Sequence, residues 1–222
     1  MFEIYVPIRL YFGLGSLDQI HTMKLPGKHA LVLISQGKSV VKAGYWDRLK
    51  QQLEEAGVKA SLFSGIQANP TTDSVMEAAD MARREHCDFV IGFGGGSPMD
   101  AAKVVAIMAT NPGVVWVYCQ RGTGKRQNFF NAPLPIVCIS TTAGTGSEAD
   151  SSGMLNNIET KEKFGIGGSS CFPVISVVDP ALTLTVPQRQ MVYQGLDALF
   201  HLISPRIPRA SARGGIGQLS HP

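Results

Sequence analysis

Three groups of residues in this 222-residue chain have the types and spacing for chemistry. The first is the run Gly92-Phe93-Gly94-Gly95-Gly96-Ser97-Pro98. Where such a run joins a buried strand to a helix, the missing side chains let backbone N–H groups approach a pyrophosphate, and the helix N-terminus adds favourable partial charge. The alternative reading is a plain tight turn. The run is not the GxGxxG dinucleotide fingerprint, since residue 99 is Met and the glycine spacing differs. Asp100 lies just inside the helix that follows, as a helix-start carboxylate or as a contact to cofactor or substrate. The second group is the loop 141–148, whose hydroxyls Thr141, Thr142, Thr145 and Ser147 suit hydrogen bonds to ribose or phosphate oxygens. The third is Asp197 and His201. Four apart on a helix, they share a face and could hold one cation, or form a surface ion pair. Two ligands do not close a catalytic metal site, which ordinarily takes three protein ligands and an open position.

These groups need a scaffold. Residues 30–34, 58–63, 89–93 and 134–139 are short apolar runs of strand length, while 45–56, 72–85 and 98–109 carry helical periodicity. Strands are also expected at 4–6 and 9–12 around Pro7, with Ser16 capping a short helix, and at 151–157 and 174–178. Residues 121–133 (RGTGKRQNFFNAP) read as an exposed connection, and Pro187 fits the first turn of the helix that carries Asp197 and His201. Apolar strands alternating with helices predict an α/β fold, a Rossmann-like parallel sheet with helices on both faces.

Composition narrows the partners. Hydrophobic residues make up 44% and charged residues 17%, enough for a sizeable core. No segment approaches the length of apolar sequence that a membrane helix needs, so no membrane partner is expected and the chain reads as cytoplasmic. Cys87, Cys119, Cys138 and Cys171 lack the spacing of a disulfide framework and are expected to be reduced thiols. The net charge of +3 resides in Arg206, Arg209 and Arg213 of an acid-free tail, so no basic stripe on the folded part supports nucleic-acid binding.

The segments GGGSPMDAAK, Asn69-Pro70, STTAGTGSEAD, Lys163-Phe164, VVDPALTLTVP and GLDALFH stand in an order and spacing that resembles the iron-containing alcohol dehydrogenases, the butanol dehydrogenase-like members in particular. The likeness covers about residues 1–201. It implies a dehydroquinate synthase-like α/β nucleotide-binding domain over 1–186 and the start of an all-helical metal-binding domain at 187–201. Fe2+, or in some members Zn2+, would sit between the two domains. By resemblance, Gly95, Gly96 and Ser97 hold the pyrophosphate, while Asp100, Thr141, Thr142, Thr145 and Lys163 lie along the nicotinamide ribose and phosphates. Asn69 and Leu182 line the adenosine side, and Asp197 and His201 are the first two of four metal ligands. The implied reaction passes a hydride between NAD(P)(H) and a small alcohol or aldehyde, in full-length relatives that are homodimers. NAD-preferring relatives place an Asp after the first long strand. Gly37, followed by Lys38 and Ser39, stands there instead, which resembles NADP-preferring members.

The likeness ends after His201. The family continues its helix with a Glu where this chain has Ser204. Pro205, Pro208, Gly214, Gly215 and Gly217 then cannot sustain a helix. Residues 202–222 are therefore expected to be an aberrant or disordered tail from a shifted frame or artificial junction. The C-terminal helical domain, with two further ligands, would be missing and turnover negligible. Two other readings stand beside this one: a non-catalytic nucleotide-binding remnant, and a glycerol dehydrogenase-like zinc relative.

Overall fold

A computed structural model describes residues 5–203. Six strands form one parallel sheet: β1 (Arg9–Phe12), β2 (His29–Ser35), β3 (Lys59–Ile66), β4 (Phe89–Gly94), β5 (Ile136–Ser140) and, after a separate hairpin, β8 (Ile175–Val178). That hairpin is β6 (Ser152–Asn157) with β7 (Glu162–Gly167), antiparallel. The helices are α1 (Ser39–Lys42), α2 (Tyr45–Glu55), α3 (Thr72–Arg84), α4 (Gly96–Thr110) and α5 (Gln188–Ile203). The sheet order β1-β8-β5-β4-β2-β3 reverses direction between β2 and β4, since β3 pairs on one side of β2 and β4 on the other. Open parallel sheets bind ligands at the carboxyl ends of strands at such a reversal, here the ends that carry Gly37 and Gly95.

The two faces of the sheet follow from the two-residue period of a strand. Leu31, Leu33, Val90, Ile136 and Cys138 face one way and pack with α3 and α4; Ala30, Val32, Ile34, Ile91, Phe93 and Val177 face the other and pack with α2 and Leu182. Both faces are covered, which is why these strands read as continuous apolar runs. Gly92 lets α4 lie close against β4, because a Cβ there would come 2.7 Å from the Met99 Cα.

Several expectations need correction. Residues 5–8 are not a strand, and Ile4 lies outside the described residues; Pro7 has no N–H to give a ladder. Ser16 does not cap. Gly15, with no side chain to cap, precedes the 3-10 turn Ser16–Thr22, and the Ser16 hydroxyl is buried without a partner. The buried Asp179 carboxylate, just past β8, instead accepts from the Gly15 N–H at 3.1 Å and the Leu17 N–H at 3.3 Å. α4 begins at Gly96 rather than Pro98, so the last glycine of the run is helical. β7 was not expected as a strand, nor α1 as a helix. The connection 121–133 holds no helix or strand, and it is tethered where the Asn111 side chain accepts from the N–H groups of Phe130 and Asn131. The four cysteines are free and buried. Leu202 and Ile203, expected to open the aberrant tail, are instead the last residues of α5; residues 204–222, including Ser204 and the rest of that tail, lie outside the described residues, and no helix among those described is long and apolar enough to cross a membrane.

Candidate functional site

The glycine run forms the strand-to-helix junction at the carboxyl end of β4. Gly94 has φ +149°, a conformation that side chains disfavour, and turns the chain into α4. Gly95 precedes the helix with no side-chain cap, which leaves the first N–H groups of a 15-residue helix for a ligand. Across from this turn runs the loop 141–148. A Cβ on Gly95 would lie 3.3 Å from Thr142, and one on Gly96 would lie 3.0 Å from Thr145. The two loops are lips of one opening, kept apart by the absence of those two side chains.

The opening continues into a cleft of about 240 Å³ over α1 and α2, lined by Ser39, Val40, Tyr45, Gly95, Thr141, Thr142, Leu182 and residues of the α5 N-terminal half, among them Gln190 and Gln194. Its floor is apolar through Val40 and Leu182, and the Thr142 Oγ1 is buried with no hydrogen-bond partner. A buried hydroxyl left without a partner costs free energy unless a ligand supplies one. Gly37 is exposed at the rim, and a Cβ there would meet nothing within 4 Å. Lys38 beside it is in the left-handed region at φ +55°. An empty rim with a lysine next to it can take an extra phosphate.

A second side of the opening gathers Asn69, Ser97 and Lys163. The Asn69 N–H donates to the Ser97 hydroxyl at 3.3 Å, and the Lys163 ammonium donates to the Asn69 side-chain oxygen at 2.6 Å. Asn69 is itself left-handed at φ +59°, held by these contacts and by the Asn156 side chain donating to its carbonyl. Of the two residues expected on the adenosine side, Leu182 lines the cleft with Val40 and Tyr45, while Asn69 bonds Ser97 and Lys163.

Asp100 is mostly turned inward. Its carboxylate accepts from the Ser147 hydroxyl at 2.5 Å and from the Met154 N–H at 3.1 Å. Burial pushes its pKa up, while the Ser147 hydroxyl, Lys103 and the Met154 N–H pull it back. Asp100 therefore ties α4 to the loop and to β6. Ser147, expected as a loop hydroxyl for ribose or phosphate, belongs instead to this cluster with Lys103 and Asp150, which sequence reasoning did not single out; a lone lysine within the apolar stretch AAKVVAIMA of α4 is the signal that could have found it.

Asp197 and His201 face each other one turn apart on α5, with Oδ1 to Nε2 at 3.6 Å, and both are well exposed. Among the described residues no group of three or more His, Cys, Asp or Glu could hold a metal ion. The two donors present do not complete a catalytic site. A dinucleotide does fit: the glycine turn, the hydroxyl lip, the unpartnered Thr142 oxygen and the apolar cleft match pyrophosphate, ribose and base.

The chain is similar to one family of known proteins. The family model for iron-containing alcohol dehydrogenase matches residues 7–180. The 1,3-propanediol dehydrogenase of Klebsiella pneumoniae is 35% identical over 211 residues, covering 94% of this chain and 53% of that protein. The probable NADH-dependent butanol dehydrogenase 1 of Bacillus subtilis is 33% identical over 202 residues, 90% of this chain and 51% of that one. Among solved structures, NADH-dependent butanol dehydrogenase A of Thermotoga maritima superposes with a TM-score of 0.84 at 31% identity, covering 91% of this chain and 50% of that one. The chain spans about half the length of the curated relatives it matches.

Proposed function

Since the chain belongs to the iron-containing alcohol dehydrogenase family, we propose that it is the nucleotide-binding half of a metal-dependent alcohol dehydrogenase, acting between NAD(P)(H) and a small alcohol or aldehyde. The observation that carries this reading is the pair of lips at Gly95–Gly96 and Thr142–Thr145, with a buried hydroxyl oxygen left free between them. Relatives named for butanol and 1,3-propanediol support small alcohols as the substrate class.

When bound, the nicotinamide ring accepts or gives the hydride. The protein's part is to place it. Backbone N–H groups at the start of α4 hold the pyrophosphate, Thr142 and Thr145 supply hydroxyl partners, and Val40, Tyr45 and Leu182 enclose the adenosine. Asp197 and His201 are the ligands this chain would contribute to Fe2+ or Zn2+. We read α5 as the first helix of a second, helical layer, because none of its residues is buried while Met191, Leu196 and Phe200 lie exposed. With two donors in residues 5–203, the chain alone is expected to turn over negligibly. Alcohol-dependent formation of NADPH or NADH by the purified chain with added Fe2+ would contradict that.

Gly37 favours NADP(H), because no carboxylate stands at the rim to repel a 2′-phosphate. The NADH-dependent names of two relatives favour the competing reading. Calorimetric titration with NADPH and NADH decides between them. NADPH is expected to bind more tightly, and Gly37→Asp to weaken it at least about tenfold through like-charge repulsion while sparing NADH. Tighter binding of NADH to the unaltered chain would overturn the preference.

A further inference from the structure

Lys103 is fully buried, yet its ammonium makes a full set of contacts: to the Ser147 hydroxyl at 3.0 Å, to the Ser152 carbonyl at 3.2 Å and to the Asp150 carboxylate. The Asp100 carboxylate is 3.9 Å away. An ammonium has three protons to donate, and all three are used. Taking such a charge out of water is costly, and an apolar side chain of the same length would fill the space at less cost. The cluster therefore serves something other than packing.

What it touches shows what that is. Ser147 accepts from Lys103, donates to Asp100 at 2.5 Å, and its own N–H donates to the Thr145 hydroxyl at 3.3 Å. Thr145 is the residue that lies over Gly96. The other end of the loop is fixed where the Thr141 N–H donates to the Gly94 carbonyl at 2.8 Å. The hydroxyl lip thus hangs between two anchors. One is the backbone of the glycine turn itself, and the other is Lys103, one turn further along the same helix than Asp100.

We propose that Lys103 is a positioning residue for the nucleotide site, fixing through Ser147 and Asp100 the separation between the hydroxyl lip and the glycine turn. It acts on the pyrophosphate and the ribose nearest it, and leaves the adenosine cleft over α1 and α2 unaffected. This rests on the nucleotide reading above.

The test uses two probes, ADP-ribose and adenosine, titrated calorimetrically into the 222-residue chain and its Lys103→Met and Ser147→Ala variants. Small misplacements of positioning groups cost large factors, so ADP-ribose should bind each variant at least about tenfold more weakly. Adenosine should bind all three proteins alike, a split that general loosening of the fold would not produce. Wild-type affinity for ADP-ribose in either folded variant would overturn the assignment, as would parallel loss of both probes. If Lys103→Met does not fold, Ser147→Ala, which strands no buried cation away from its carboxylates, decides alone. Failure of the unaltered chain to bind either probe would instead defeat the nucleotide reading and the assignment built on it.

Discussion

At the scale of single residues, the site depends on what is missing as much as on what is present. A Cβ on Gly96 would come 3.0 Å from Thr145. Gly96→Val is therefore expected to close the opening and weaken NADPH binding by about tenfold or more, since overpacking costs about 1–3 kcal/mol, with the circular-dichroism spectrum unchanged. Undiminished binding would contradict the placement of the pyrophosphate. The buried thiols make a different prediction. Burial pushes Cys138 up to about 12 and Cys87 to about 11, from an ordinary value of 9.0. The folded chain keeps these protons while the unfolded chain releases them, so the stability they contribute is whole below pH 9 and falls as pH rises toward 12. Each such thiol steepens the decline by up to about 1.4 kcal/mol per pH unit. Urea unfolding between pH 8 and 10.5 should show a shallower decline in Cys138→Ala, and equal slopes would contradict the burial argument. The glycines and threonines were legible because absent side chains and clustered hydroxyls carry their meaning locally. Lys103 and Gln194 were not, since their partners stand far away in sequence.

At the scale of elements, apolar runs and helical periods located β2 to β5, β8 and the longer helices to within a few residues. The misreadings share a cause. Ser16 is in the right place for a cap, but Asp179 occupies that role from the end of the neighbouring strand β8, far away in sequence. β7, with the sequence EKFGIG, carries little strand propensity, and its pairing with β6 and packing through Ile166 decide its form. Tertiary partners outweigh local preference in both cases. Asp179 offers the sharpest test, because it is 1% exposed and also accepts from the Ala181 N–H at 3.0 Å. Asp179→Ala leaves three N–H groups without acceptors and should cost about 3 kcal/mol or more, with Asp179→Asn milder because one acceptor oxygen remains. Chemical denaturation measures both, and an Asp179→Ala protein as stable as the parent would remove Asp179 as the link between β8 and the N-terminal turn.

At the scale of the whole molecule, the order of the sheet explains why residues distant in sequence share one opening. The reversal between β2 and β4 brings the Gly37 rim beside the Gly95 turn, β5 delivers the hydroxyl lip, and α5 closes over it where Gln194 accepts from the Ala143 N–H. That convergence was expected in kind from alternating strands and helices; its handedness and neighbours follow from packing that no local pattern records. The central claim, that this convergence is a dinucleotide site, is tested most directly by hydrogen–deuterium exchange with and without saturating NADPH. Protection is expected at the amides of residues 94–99 and 141–145. Unchanged exchange in both segments, or protection confined elsewhere, would contradict the account.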